Sequence, residues 1–403
     1  MEVGVEEGGT RVQVAIIGAG PVGLCFARAL AMHGVKVALV DKQPREALRE
    51  AAFDGREIAL SHPSQAILER LDIWRRISAE ERSPLRDARV FNGASRFAMT
   101  IASGRHERRK PLGVLVPNHA IRRAAYRAAE ECANIHWYQA ALERIESAAD
   151  GVRLALDDGS RIEAELAVAA DSRFSQTRRH LGIAAEMRDN GRTMLVCRMQ
   201  HDMPNDQTAW EWFGHGQTLA LLPLDTHLSS VVLTLPAREM DSVLALDEAA
   251  FATEMERRFS HRLGAMEKRS KAHRYPLVSV YAERFVAHRF ALIGDAAVGM
   301  HPVTAHGFNI GLQGQQRLAE RLLAARRRGQ DIAAPNVLES YQRDHRLATR
   351  PLYLATQAIV SLYTDDRLPA RLLRHVGLRV AERAAPLKGA IAHHLLQRHS
   401  RLP

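Results

Sequence analysis

The sequence predicts an α/β fold: a Rossmann-like nucleotide-binding domain on a parallel sheet, interrupted by an antiparallel-sheet domain and followed by C-terminal helices. Three observations carry this. Near the start, the apolar run Val12–Ile17, a glycine-rich turn, a helical stretch and a second apolar run ending on Asp41 follow one another. A second strand-and-glycine unit, Phe290–Ile293 followed by Gly294 and Asp295, stands far downstream. Between them, residues 193–235 break into short strands at turn spacing, the pattern of an antiparallel sheet.

Each element of the first unit has a physical reason. Val12–Ile17 suits a parallel strand buried on both faces. In the turn Gly18-Ala19-Gly20-Pro21-Val22-Gly23, Gly18 permits the tight bend and Gly20 lets the backbone approach a pyrophosphate. Gly23 lets the helix sit close on the strand. Leu24–His33 has helical spacing and ends on Gly34, which can take a left-handed cap. Lys36–Val40 is the second strand, and Asp41 at its end, with Lys42 beside it, can accept hydrogen bonds from ribose hydroxyls. An acid there repels a 2′-phosphate, which argues against NADP. The unit by itself fits NAD or FAD.

Composition narrows the function classes. With 403 residues, 46% hydrophobic and 25% charged, the chain can build a core and is not a disordered protein. No apolar stretch approaches the ~20 residues of a membrane-spanning helix. Cys25, Cys132 and Cys197 are too few and too scattered for a disulfide framework, a zinc ribbon or a CxxC redox site. The opening MEVGVEEGGT lacks a signal peptide's apolar region, so a cytoplasmic location is expected. The net charge of +10 comes largely from arginine, and much of the excess follows Arg367. That tail has no aromatic residue for base stacking and the body has no nucleic-acid module, so no nucleic-acid partner is expected. No metal-ligand spacing, Ser-His-Asp set or carboxylate pair stands out, and no metal is expected.

The downstream motif decides the nucleotide. Phe290–Ile293 leads into Gly294-Asp295-Ala296-Ala297, then His301-Pro302, then Gly307-Phe308-Asn309-Ile310-Gly311 opening a helix to about Arg328. With the first motif, this sequence resembles the class A flavoprotein monooxygenases, typified by p-hydroxybenzoate hydroxylase. Within them it looks most like the ubiquinone-biosynthesis hydroxylases. Three more segments are similar: Gly55-Arg56-Glu57-Ile58-Ala59-Leu60-Ser61, Val116-Pro117-Asn118-His119, and Ala169-Ala170-Asp171-Ser172 through Arg178. The chain departs from the family at Ser172, where glycine is usual, at Val298, where histidine is usual, and at Thr304-Ala305-His306-Gly307.

The resemblance implies FAD as cofactor. Gly294 and Asp295 would bind the ribityl chain, and Gly307, Phe308 and Asn309 would face the isoalloxazine. Arg56 would reach the pyrophosphate, Asp171 would sit near the cofactor, and Arg178 would lie near the pyrophosphate or incoming NAD(P)H. It also implies aromatic hydroxylation by a flavin C4a-hydroperoxide formed with O₂ and NAD(P)H. A polyprenylated phenol of ubiquinone biosynthesis is the first substrate class, and a small soluble phenol or secondary metabolite the alternative. A non-catalytic flavoprotein scaffold of a biosynthetic complex is a third reading. His301, Pro302 and His306 flank the expected flavin face, and His306 can serve either as a proton relay or as a loop histidine bonding backbone.

The domain limits expected are 11–180 and 277–335 for the FAD-binding domain, 181–276 for the substrate domain, and 336–403 for a basic helical region. Trp210 and Trp212 alternate to one strand face, as core or pocket-lining aromatics would; with Leu221 and Pro223 they are the candidate substrate pocket. The stretch 367–383 has leucines and valines on one helical side and arginines on the other. It reads either as a helix packed on the FAD domain or as a peripheral contact with the inner face of a membrane.

Overall fold

The computed structural model describes residues 10–364, apart from 94, 96, 103–110 and 215. The expected amphipathic helix at 367–383 lies outside the described residues. Among those described, no helix is long and apolar enough to cross a membrane.

The first large sheet is the expected parallel one. Its order runs Val286–Ala287, Phe290–Leu292, Arg161–Ala169, Thr10–Ile17, Val37–Asp41, Ile135–Gln139. All its neighbours are parallel except the first pair. The hairpin strand Val152–Leu156 adds to Arg161–Ala169, as the Asp157-Asp158-Gly159 turn predicts. Val14, Ala15 and Ile16 are fully enclosed because the central strand is covered on both faces. The helix Pro21–Ala31 packs against the helices Asn118–Glu130 and Gly307–Arg327.

The second large sheet is mainly antiparallel. Its central run is His273–Ala282, Ala185–His201, Leu228–Pro236, Thr218–Asp225 and Thr208–Phe213. Asp87–Asn92 and Ala98–Ala102, from the first part of the chain, extend this sheet beyond Thr208–Phe213. The limits expected at 181 and 277 therefore differ from the pairing. His273–Ala282 stays in this sheet along its length, and the chain regains the parallel sheet only at Val286. The strand Ala185–His201 is longer than the short strands expected over 193–235, because a register shift between Asp189 and Thr193 lets both of its ends pair with His273–Ala282. Gly191, at φ +63°, stands within that shift.

The two faces of this sheet have different neighbours. Trp210, Trp212, Leu221, Leu195 and Leu233 share a core with Phe251, Met255 and Phe259 from the helix Glu248–Arg258 and its end. On the other face, Ala209, Leu222 and Val90 pack with Leu85, Leu115 and Ala59, which belong to the small sheet region attached to the first domain. That face looks toward the nucleotide-binding half.

The glycine turn is held by backbone contact. Gly18 adopts φ +110°, and a Cβ there would lie 2.6 Å from the Ala170 carbonyl oxygen. A Cβ at Gly23 would run into the carbonyl oxygen of Gly18. Gly23→Ala is therefore expected to cost about 3 kcal/mol, seen as a lower thermal midpoint by circular dichroism; an unchanged midpoint contradicts this packing.

Candidate active site

Two helices begin side by side. The helix Pro21–Ala31 starts from an extended Gly20 with no side-chain cap, so its first N–H groups and its positive dipole end remain available. Val22 in its first turn is the contact point. A Cβ at Gly294 would lie 3.3 Å from Val22 Cγ1, and one at Gly311 would lie 3.0 Å from Val22 Cγ2. Glycine at both positions lets the Gly294 turn and the start of the helix Gly307–Arg327 close on Val22. A Cβ at Gly20 or at Gly307 would meet no atom within 4 Å, so both helix starts leave room for a bound group. An anionic dinucleotide fits that arrangement.

The acids around it are fixed by backbone. Asp41 Oδ2 accepts from the Ala19 N–H at 2.8 Å and Oδ1 from the Gln43 N–H at 2.9 Å, while Lys42 is exposed. Each Asp41 oxygen keeps acceptor capacity for a ribose hydroxyl. Asp171 Oδ2 accepts from Thr177, whereas its Oδ1 is buried with no hydrogen-bond partner among the described residues. Ser172 is accommodated because the close approach at this turn is supplied by Gly18, whose missing Cβ would lie 2.7 Å from Asp171 Cα.

Asp295 is not alone. Its Oδ2 accepts from Arg173 at 3.0 Å, and Arg173 also donates to the Val278 carbonyl at 3.0 Å, tying the Gly-Asp turn to the second sheet. Arg178, expected at the pyrophosphate or the nicotinamide nucleotide, is instead enclosed at 2% exposure. Its guanidinium donates to the Ala296 carbonyl at 2.9 Å and to the Arg173 carbonyl. Burial pulls its pKa below the ordinary arginine value. Arg178 thus supports the Gly-Asp turn from within.

Arg56 lies between the domains. Its guanidinium pairs with Asp54 at 2.6 Å and sits over the Tyr275 ring, whose hydroxyl donates to the Asp54 carbonyl. Burial opposes the Arg56 charge, but Asp54 outweighs it and holds the pKa above the ordinary value. Next to it, Glu57 is a carboxylate in an otherwise apolar strand, and Arg198 of the second sheet reaches it at 2.7 Å. Burial still dominates and lifts the Glu57 carboxyl to about 7. For Glu57 the sequence signal is a charge beside Ile58, Ala59 and Leu60, but its partner Arg198 is distant in the chain.

The loop beside the second helix start is braced by Asn309. Expected to face the flavin, Asn309 is 3% exposed and its amide is committed to backbone. It accepts from the Ser61 N–H at 3.0 Å and donates to the carbonyls of Ala59 and Ala305 at 2.9 and 3.1 Å. Phe308 is half-buried against the first-domain core. His301, 9% exposed, accepts the Val303 N–H on Nδ1. Burial, then Arg173 and Arg192, push its pKa down to about 4, so it is neutral at pH 7 and offers an Nε2–H. Pro302 is exposed, and His306 is buried at the helix N-cap with its carbonyl accepting from Ile310.

The candidate substrate pocket needs correction. Trp210, Trp212 and Leu221 point into the helix-covered core, and Trp212 donates to the Gly93 carbonyl under Arg262. Pro223 shares their parity and is buried. The face toward the nucleotide half carries the alternate residues: Glu211, Ala220, Leu222, Val232, Thr234 and Met194. Alternation marks the two faces but does not say which one a helix covers.

Two outcomes follow from this geometry. Asn309→Ala leaves two carbonyls and an N–H without partners and is expected to cost about 2–4 kcal/mol, read from chemical denaturation. Protonated Glu57 favours the fold fully below its ordinary 4.5, and that contribution fades as pH rises toward 7. Glu57→Gln should therefore flatten the fall in denaturation midpoint across that window; an unaltered pH profile refutes the assignment.

The comparisons with known proteins agree with the geometry. The FAD binding domain family matches residues 11–353. Ubiquinone hydroxylase UbiM of Neisseria meningitidis is 44% identical over 386 residues, covering 95% of this chain and 84% of that protein. Ubiquinone hydroxylase UbiL of Rhodospirillum rubrum is 36% identical, covering 95% of this chain and 89% of its own length. Among solved structures, p-nitrophenol 4-monooxygenase PnpA of Pseudomonas putida DLL-E4 superposes with a TM-score of 0.77 at 19% identity, covering 97% of this chain and 100% of that one, a likeness of fold. FAD is thus the dinucleotide that the paired helix starts accommodate, and this chain belongs to the FAD binding domain family and, within it, to the ubiquinone hydroxylases.

Proposed function

We propose that this enzyme hydroxylates the aromatic ring of a polyprenylated phenol on the route to ubiquinone, with O₂ as co-substrate and a nicotinamide nucleotide as reductant. The observation that supports the substrate class is the sheet face turned toward the FAD half. Met194, Val196, Ala220, Leu222 and Val232 make it largely aliphatic, which suits a greasy aromatic rather than a small charged one. The chain-long likeness to two ubiquinone hydroxylases supports the pathway.

Bound FAD supplies the oxygen chemistry. The protein supplies position and dryness. The N–H groups of Gly20 and Val22 would hold the pyrophosphate, and Asp41 would accept from the adenosine ribose. Asp295, oriented by Arg173, receives the sugar-alcohol hydroxyls. Neutral His301 can donate a hydrogen bond from Nε2 but is a poor proton donor at pH 7. The aliphatic sheet face keeps water from the reacting ring. The basic amphipathic stretch 367–383 supports a peripheral contact with an anionic membrane, from which a polyprenyl substrate is drawn.

The test is quinone profiling by mass spectrometry in cells lacking this gene. An under-hydroxylated polyprenyl phenol should accumulate and be cleared by the wild-type protein but not by Asp295→Ala. An unchanged quinone pool in a strain without a redundant hydroxylase overturns the reading and favours a small soluble phenol.

A further inference from the structure

Glu211 lies on the face of the second sheet toward the FAD half, and the elements described above leave it unused. Its strand, Thr208–Phe213, sends Trp210 and Trp212 into the helix-covered core, so Glu211 emerges on the opposite side. Its cross-strand neighbours there are Ala220 and Val90, and Val232 follows one strand further on. No hydrogen bond or ion pair joins its side chain to any described residue. Burial alone, with no compensating charge, raises its carboxyl to about 8.

The location bears on the ring. Phe213, two residues on and about 7 Å along the strand, leads into the hairpin whose Gly216 carbonyl accepts from Arg192 at 2.7 Å. Arg192 is close enough to His301 to lower its pKa, so this end of the sheet lies opposite the loop beside the second helix start. Glu211 is one row in from that rim. The titratable groups on the surrounding elements are Arg192 and His301 at the rim, Tyr363 stacked on Phe213, Tyr275 and His273 toward the far strand, and Arg198, which is paired with Glu57 of the small sheet; none bonds Glu211. The small sheet packed over Leu222 contributes Leu85 and Leu115. An unpartnered carboxyl on an aliphatic wall is costly to the fold by itself.

We propose that Glu211 is the polar contact that orients the substrate, accepting a hydrogen bond from a hydroxyl on its aromatic ring. This rests on the reading that the substrate is a phenol. The wall excludes the alkyl-bearing ring edge from water while the single acceptor selects which edge faces it. Sites built to bond a hydroxyl discriminate strongly against analogues without one, because the buried acceptor is then stranded. The ionised form accepts more strongly than the neutral acid.

The test uses FAD-loaded protein and two soluble probes, 2-prenylphenol and its methyl ether, with binding followed by perturbation of the flavin absorbance. Wild type should prefer the phenol by about tenfold or more, and its affinity should tighten from about pH 7 to 9 as Glu211 ionises. Glu211→Leu should bind both probes alike, while Glu211→Gln should keep the preference and lose the pH dependence. Flavin content and thermal midpoint establish that each variant is folded. If Glu211→Leu still prefers the phenol by the wild-type ratio, the inference fails and the phenol reading stands. If wild type binds neither probe, or binds both alike, the phenol reading fails with it.

Discussion

Everything at this site depends on the contact of Val22 with Gly294 and Gly311. Residues from opposite ends of the fold meet there without side chains between them, and the sheet register makes the meeting possible. Ile17 pairs with Ala169, and Ala169 with Leu292, so three parallel strands end level. Gly18, Asp171 and Gly294 therefore emerge at one edge. This is the carboxyl end of a parallel sheet, where ligands bind because the loops diverge and helices begin. A bulkier residue at Gly294 or Gly311 would press on Val22 and push the two helix starts apart.

The polar groups behind this edge are arranged to hold it still. Arg178 is enclosed and its guanidinium is given to the carbonyls of Ala296 and Arg173, which ties the Gly-Asp turn to the segment that carries Arg173. Arg173 in turn orients Asp295 and reaches the second sheet. Asn309 performs the same service for the facing loop through Ala59, Ser61 and Ala305. These residues touch backbone rather than the bound group, and they are positioning residues. Two of the three guanidinium nitrogens of Arg178 meet carbonyls, while its Nε is buried without a partner among the described residues.

This division explains what was legible in the sequence. The glycine unit, its strands and Asp41 could be read directly because their constraints are local: a positive φ, a missing Cβ, a strand end. The family motifs located Arg178 and Asn309 but not their roles, since those depend on partners more than 100 residues away. The sequence puts Trp210 and Trp212 on one strand face as core or pocket-lining aromatics, and the structure places both in the core. Period-two alternation is symmetric between faces, and only the helix Glu248–Arg258 breaks that symmetry. The long strand Ala185–His201 was read short because the bulge at Asp189–Thr193 interrupts its alternation.

The helix Pro335–Thr364 joins the two sheets. Near its start, Tyr341 donates to the Leu292 carbonyl at 2.7 Å, anchoring it on the parallel sheet at the strand that leads into Gly294. Halfway along, Thr349 meets the Tyr281 hydroxyl at 3.1 Å, on the strand His273–Ala282 of the second sheet. At its end, Tyr363 stacks on Phe213 with ring centroids 3.6 Å apart. A single helix thus touches the strand that leads into Gly294, the strand His273–Ala282 and the hairpin end of the strand that carries Glu211. Pro351 stands within the helix between the second and third contacts, where its missing N–H removes one backbone bond. The parallel sheet, the second sheet and the Phe213 hairpin are thus tied together by one helix that carries none of the residues assigned to the bound group.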